Sequence, residues 1–178
     1  MFDVNIDVLS TLGISELPNW VVWREEPRGK QQKLSKVPST PGTKSRAEAD
    51  KPDTWRSFEQ AVDTYQQGGW AGIGFEFGYS GVIGIDLDDC MNDVGTPEPW
   101  AEEIINEIDS YTEISVSGKG IHILAEGEIP VTGAAKHPYE IYATGRYFAL
   151  TGHVLGDRDK IETHGCHDCL LPTCVQER

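Results

Sequence analysis

The chain has 178 residues, 38% of them hydrophobic, which suffices for one domain with a real core and leaves no apolar run near the ~18 residues a membrane span needs. A formal net charge of −14 argues against tight nonspecific binding of nucleic acid by this chain alone. The opening M-F-D-V-N-I-D-V is acidic and lacks the basic region of a secretory signal, so the expectation is a soluble, cytoplasmic protein with no membrane partner.

Taken in chain order, P-N-W-V-V-W-R (residues 18–24) predicts a first strand, rich in aromatic and β-branched residues. Residues 25–52 are polar, with only L-S-K-V-P (34–38) reading as a strand. Asp53 or Thr54 is placed to cap a helix over residues 55–67, where Trp55, Phe58, Ala61, Val62 and Tyr65 recur at helical spacing before Gly68-Gly69 stops it. A-G-I-G-F-E-F (71–77) and G-V-I-G-I-D-L-D (81–88) read as a hairpin across Gly78-Tyr79-Ser80. A second helix is expected over residues 98–109, opened by Pro97 and Pro99, with Trp100, Ile104, Ile105 and Ile108 as its apolar stripe. Strands at 112–116 and 120–125 flank S-G-K, and a last pair at 139–142 and 147–152 is joined by A-T-G-R. The order predicts an α+β fold, a mostly antiparallel sheet platform with helices packed on one face.

Charge along the chain is polarised. Nine of the fifteen Lys and Arg lie between Arg24 and Arg56, whereas residues 57–118 hold thirteen Asp and Glu and no basic residue. A basic segment suits phosphates and an acidic middle suits cations, although a solvated acidic surface is the plainer account of most of those carboxylates.

Strand periodicity locates the chemistry. Ile83, Ile85 and Leu87 share one face of their strand, and Gly84, Asp86 and Asp88 share the other. Ile121 and Ile123 oppose Gly120, His122 and Leu124; Tyr139 and Ile141 oppose Glu140 and Tyr142. With helices over the apolar face, the other face becomes an open platform carrying Asp86, Asp88, His122 and Glu140. Two carboxylates at i and i+2 call for a cation, and hard oxygen ligands suit Mg²⁺ or Mn²⁺ with phosphates completing the shell. A surface D-L-D-D turn is the alternative. In S-V-S-G-K-G-I-H, Ser117, Gly118 and Gly120 permit a tight turn whose N–H groups approach a phosphate, with Lys119 adding charge and His122 following on the strand. An ordinary hairpin turn reads the same way. Glu140 can complete a metal site, Arg146 can grip phosphate or form a surface ion pair, and Tyr147 can stack on a sugar or base or simply pack.

These pieces, in this order, resemble the archaeo-eukaryotic primase superfamily, in particular the phage and plasmid bifunctional primase-polymerase (prim-pol) N-terminal domains. The resemblance rests on N-W-V-V-W-R, K-V-P, T-W-R-S-F-E-Q-A, G-I-G-F-E-F, G-V-I-G-I-D-L-D-D-C, P-W-A, S-G-K-G-I-H-I and E-I-Y-A-T-G-R-Y-F-A-L-T-G. It implies a sheet platform related to the RNA-recognition-motif fold and metal-dependent nucleotidyl transfer from nucleoside triphosphates on a single-stranded DNA template. By position it implies that Asp86, Asp88 and Glu140 hold Mg²⁺ or Mn²⁺ and that His122 belongs to the catalytic set. It further implies that Ser117, Gly118, Lys119, His122 and Arg146 bind triphosphate, joined by Lys36 of the K-x-P segment. The implied setting is a virus, plasmid or prokaryotic cell. The resemblance also implies a helicase or template-binding protein as partner, and the acidic charge fits that expectation. The competing readings are a noncatalytic nucleotide- or DNA-binding module and a metal-dependent phosphodiesterase or nuclease using the same acids.

Residues 1–156 are expected to form the catalytic domain and 157–178 a Cys/His-rich tail. In that tail His164, Cys166, Cys169 and Cys174 have the spacing of a structural zinc knuckle; a disordered tail with free thiols is the alternative.

Overall fold

The computed structural model describes residues 3–29, 32–129, 133–136 and 138–164. Its elements are α1 (Ile6–Thr11), β1 (Trp20–Arg28), β2 (Lys33–Ser39), α2 (Phe58–Gln66), β3 (Gly72–Glu76), β4 (Val82–Leu87), α3 (Pro99–Ile108), β5 (Tyr111–Ile114), β6 (Ile121–Glu126), β7 (Gly133–Lys136), β8 (Tyr139–Tyr142) and β9 (Tyr147–Leu150). The fold is α+β and its strand pairs are antiparallel, as the sequence predicts. The strands form two sheets rather than one platform, in the orders β2-β1-β3-β9 and β5-β6-β4-β8-β7.

Alternation explains why two sheets form. Ile83, Ile85 and Leu87 of β4, Ile121 and Ile123 of β6 and Ile141 of β8 bury one face of the five-stranded sheet under Ile104, Ile105 and Ile108 of α3. Trp20, Val22, Ile73, Phe75 and Leu150 build a second core on the four-stranded sheet, covered by Leu9 of α1 and by Phe58 and Ala61 of α2.

Two expected hairpins are absent because of this division. β3 pairs with β1 and β9, and β4 pairs with β6 and β8. Their apolar residues serve different cores, so the turn at residues 78–81 carries the chain from one sheet to the other. Ser80 Oγ braces that turn against Phe77 O and Val82 N. β8 and β9 likewise belong to different sheets. The two crossings lie side by side, with Phe77 N donating to Arg146 O.

Helix boundaries also shift. α2 begins after Ser57, which forms a reciprocal capping box with Gln60; Asp53 and Thr54 instead sit in a short 3-10 turn. Trp55 is held extended because Arg56 exchanges both backbone hydrogen bonds with Trp20 and the Trp55 ring packs with Val21 and Ala47. α3 begins at Pro99, and Asp109 ends it in the left-handed region.

Past residue 156 the chain continues along the core. Ile161 packs on it, Arg158 binds Asp109 and Asn106, and Thr163 pairs with Glu126. Cys166, Cys169 and Cys174 lie outside the described residues; of the expected zinc set only His164 is described, and its Nε2 is buried without a partner among them. Among the described residues no helix is long and apolar enough to cross a membrane.

Candidate active site

Register turns alternation into a site. Across four adjacent strands, Glu113 of β5 lies opposite His122 of β6, His122 opposite Asp86 of β4, and Asp86 opposite Glu140 of β8. This charged row shares the face that α3 leaves uncovered. The next row on that face is Tyr111, Leu124, Gly84 and Tyr142. Gly84 is the gap in it: a Cβ there would lie 2.2 Å from Phe77 Cζ and 2.7 Å from Phe148 Cε2. Through that gap the aromatic rings close one half of the face and leave Asp86 and Glu140 of the charged row at the rim. The expected open platform is therefore a cleft between two sheets.

The cleft, about 330 Å³, is lined by Asp86 and His122 from one sheet and by Leu34, Lys36, Tyr147, Phe148 and Ala149 from the other, with Arg146 at the crossing. His122 stacks on Phe148 with ring centroids 4.5 Å apart. Its Nε2 is 4.0 Å from Asp86 Oδ1, and its Nδ1 is 3.0 Å from Glu113 Oε1. Arg146 lies over the Tyr142 ring, and its Nη2 is 3.5 Å from Glu140 Oε2, which also accepts from the Tyr142 hydroxyl. Burial raises the Asp86 carboxyl above its ordinary range; His122 opposes this, the charges of Asp88 and Glu140 add to it, and Lys36 opposes it. Burial lowers the Lys36 amine, against the pull of Asp86, Glu25, Asp88 and Glu113.

Ser117, Gly118 and Lys119 do not line this cleft. Their turn stands beside its floor, closed by Lys119 N donating to Ser117 Oγ and by Gly118 at φ +71. Gly120 packs so tightly there that a Cβ would lie 2.8 Å from Leu87 O and 3.7 Å from Asp88 Cα. That contact sets the S-G-K-G turn next to Asp88.

The chain is 30% identical over 165 residues to a DNA primase-polymerase of Nitratiruptor phage NrS-1. The chain is a relative of the prim-pol domains. The match covers 88% of this chain and 22% of the phage protein, so the chain spans about a fifth of that relative's length. No protein-family model matches.

In this prim-pol relative, the carboxylate set fits a divalent ion in one respect. Asp86 is a half-buried carboxylate whose charge its neighbours Asp88 and Glu140 disfavour, and an added cation relieves that. Among the described residues, no three His, Cys, Asp or Glu side chains are gathered closely enough to hold an ion alone.

Two buried acids in this relative escape sequence reasoning. Glu113 looks like an ordinary strand residue in T-E-I-S-V. Counting back from the S-G-K-G turn by paired positions sets it opposite His122, and that signal was available in the sequence. Glu76 of G-I-G-F-E-F is fully buried, and among the described residues neither its carboxylate oxygens nor the hydroxyl of Tyr147, the residue opposite, has a hydrogen-bond partner. Burial, with the nearby charge of Asp50, pushes the Glu76 carboxyl from 4.5 up to about 7. The folded state thus binds a proton that the unfolded state releases, and stability falls as pH rises from about 4.5 through about 7. Glu76→Gln is expected to leave stability at pH 4 nearly unchanged and to add about 3 kcal/mol at pH 8. Urea unfolding at both pH values checks this; an equal effect at both would refute it.

Proposed function

We propose that this chain is the nucleotidyl-transfer domain of a primase-polymerase, joining nucleoside triphosphates on a single-stranded DNA template with Mg²⁺ or Mn²⁺. The observation that carries the reading is that Asp86 and His122, the centre of the charged row, line one cleft with Lys36 and Arg146. Carboxylates alone suit many metal sites. A carboxylate and a histidine side by side, with a lysine and an arginine across about 330 Å³, suit a triphosphate whose charge needs partners on both sides.

Asp86 and Asp88, with Glu140, would hold the divalent ions, which neutralise phosphate charge and favour the attacking 3′-hydroxylate. Lys36 and Arg146 grip the triphosphate from across the cleft and His122 from beside Asp86, and the Ser117-Gly118-Lys119 turn, whose Gly118 and Lys119 N–H groups are bonded within the turn, offers one ammonium beside Asp88. Tyr147, which lines the cleft, would meet the sugar or base. The protein's contribution is placement and charge compensation, with no covalent intermediate. Because the net charge is −14, template affinity is assigned to a partner, a helicase or a template-binding protein.

The test is incorporation of labelled nucleotide on a single-stranded template with Mn²⁺ or Mg²⁺. Synthesis supports the reading. Degradation of labelled DNA without any synthesis would assign a nuclease instead, and triphosphate binding with neither activity would assign a binding module. His122→Ala is expected to weaken triphosphate binding or turnover by about 10-fold or more, as loss of a charged hydrogen bond of ~1.5–3 kcal/mol requires. Its melting temperature should drop by only a few degrees. A large loss of stability with unchanged binding would make His122 structural.

A further inference from the structure

We propose that Glu113 is a positioning residue: its buried carboxylate holds the proton on His122 Nδ1 and so presents Nε2, and only Nε2, to the triphosphate. The inference rests on the reading of His122 as a phosphate contact and extends it to a residue outside the cleft.

Glu113 is fully buried. Its Oε1 lies 3.0 Å from His122 Nδ1 and 3.1 Å from Thr151 N. Its Oε2 accepts from the Tyr111 hydroxyl at 2.9 Å, Thr151 N at 3.0 Å and Gly152 N at 2.8 Å. Backbone N–H groups can only donate, so both oxygens already act as acceptors. The imidazole nitrogen facing Oε1 is then the donor, and the ring carries its proton on Nδ1 in the neutral form and the protonated form alike. The other nitrogen, Nε2, is left facing Asp86 and the cleft. Geometry therefore makes Nε2 the ring atom that meets a triphosphate in the cleft.

The same carboxylate also fixes the ring in space. Thr151 and Gly152 directly follow β9, whose Phe148 stacks on the imidazole at an interplanar angle of 22°. Glu113 thus ties β5, β6 and the end of β9 together around one ring. A ring held by a buried hydrogen bond at one nitrogen and an aromatic face at its side loses little freedom when substrate binds. Buried carboxylates orient catalytic histidines by this logic in unrelated enzymes.

The experiment has two parts. Long-range ¹H–¹⁵N NMR on the parent protein, with the His122 signals assigned by their loss in His122→Ala, reads the tautomer directly. The expected result is a protonated Nδ1 in the neutral ring. Triphosphate affinity is then measured for Glu113→Gln, His122→Ala and the double variant. Glu113→Gln is expected to weaken binding by about 10-fold in the parent and by less than about 2-fold when His122 is already absent, because residues that act through one another are not additive. If His122→Ala binds triphosphate like the parent, the phosphate role of His122 fails and the proposal fails with it. If His122→Ala does weaken binding, an Nε2–H tautomer or an equal loss from Glu113→Gln in both backgrounds overturns the assignment of Glu113 alone. The tautomer measurement decides the matter even if Glu113→Gln does not fold.

Discussion

Asp86→Ala protein is expected to incorporate nucleotide at least ~1,000-fold more slowly than the parent, the scale of removing a group that anchors charge stabilisation in phosphoryl transfer. Its fold should survive. Asp86 sits at the rim of the cleft, burial already disfavours its charge, and Asp88 and Glu140 add to that cost. Truncation therefore removes a strained charge along with a short side chain, and the melting temperature should stay within a few degrees of the parent. A second readout separates metal binding from catalysis. An ion that binds only the folded state stabilises it by mass action, so Mn²⁺ with triphosphate should raise the parent's melting temperature and leave that of Asp86→Ala nearly unmoved. Parental activity in Asp86→Ala would remove the metal site from this face altogether.

Gly84→Ala is expected to be strongly destabilising for a change of a single methyl. The added Cβ would lie 2.2 Å from Cζ and 2.6 Å from Cε2 of Phe77, and 2.7 Å from Cε2 of Phe148. Neither ring can yield easily. Phe77 is fully buried, edge-packed on Phe75 and on Phe148, and Phe148 is stacked on His122. Overpacking of this kind costs about 1–3 kcal/mol or more, which in a domain of this size lowers the melting temperature by roughly 2–4 °C per kcal/mol. Since Phe148 can only move by disturbing the His122 ring, triphosphate affinity should fall as well. Gly13→Ala is the control: its Cβ meets nothing within 4 Å. A Gly84→Ala protein as stable as Gly13→Ala would contradict the ring packing over β4.

What could be read from the sequence follows a physical division. The alternation in G-V-I-G-I-D-L-D, G-I-H-I-L-A and Y-E-I-Y names which residues share a face, because that depends only on the two-residue period of an extended chain. It set Asp86, His122 and Glu140 on one side and the isoleucines on the other, and register then aligned them. The S-G-K-G hairpin was legible for the same reason: a tight turn is decided by its own few residues. The helix start at Ser57 was misplaced because Trp55 obeys helical spacing locally and is pulled extended by Trp20, distant in sequence.

By itself, then, the sequence determined the strand faces, the acids and the histidine, and the order of motifs that marks a prim-pol relative. Only the tertiary structure decided how β3, β4, β8 and β9 pair. β3 and β4 are equally apolar, and no local energy distinguishes a hairpin between them from a crossing between two sheets. That choice is made by long-range burial under α2 and α3. It closes the platform into a cleft, carries Lys36 and Arg146 to Asp86, and buries Glu113 behind His122.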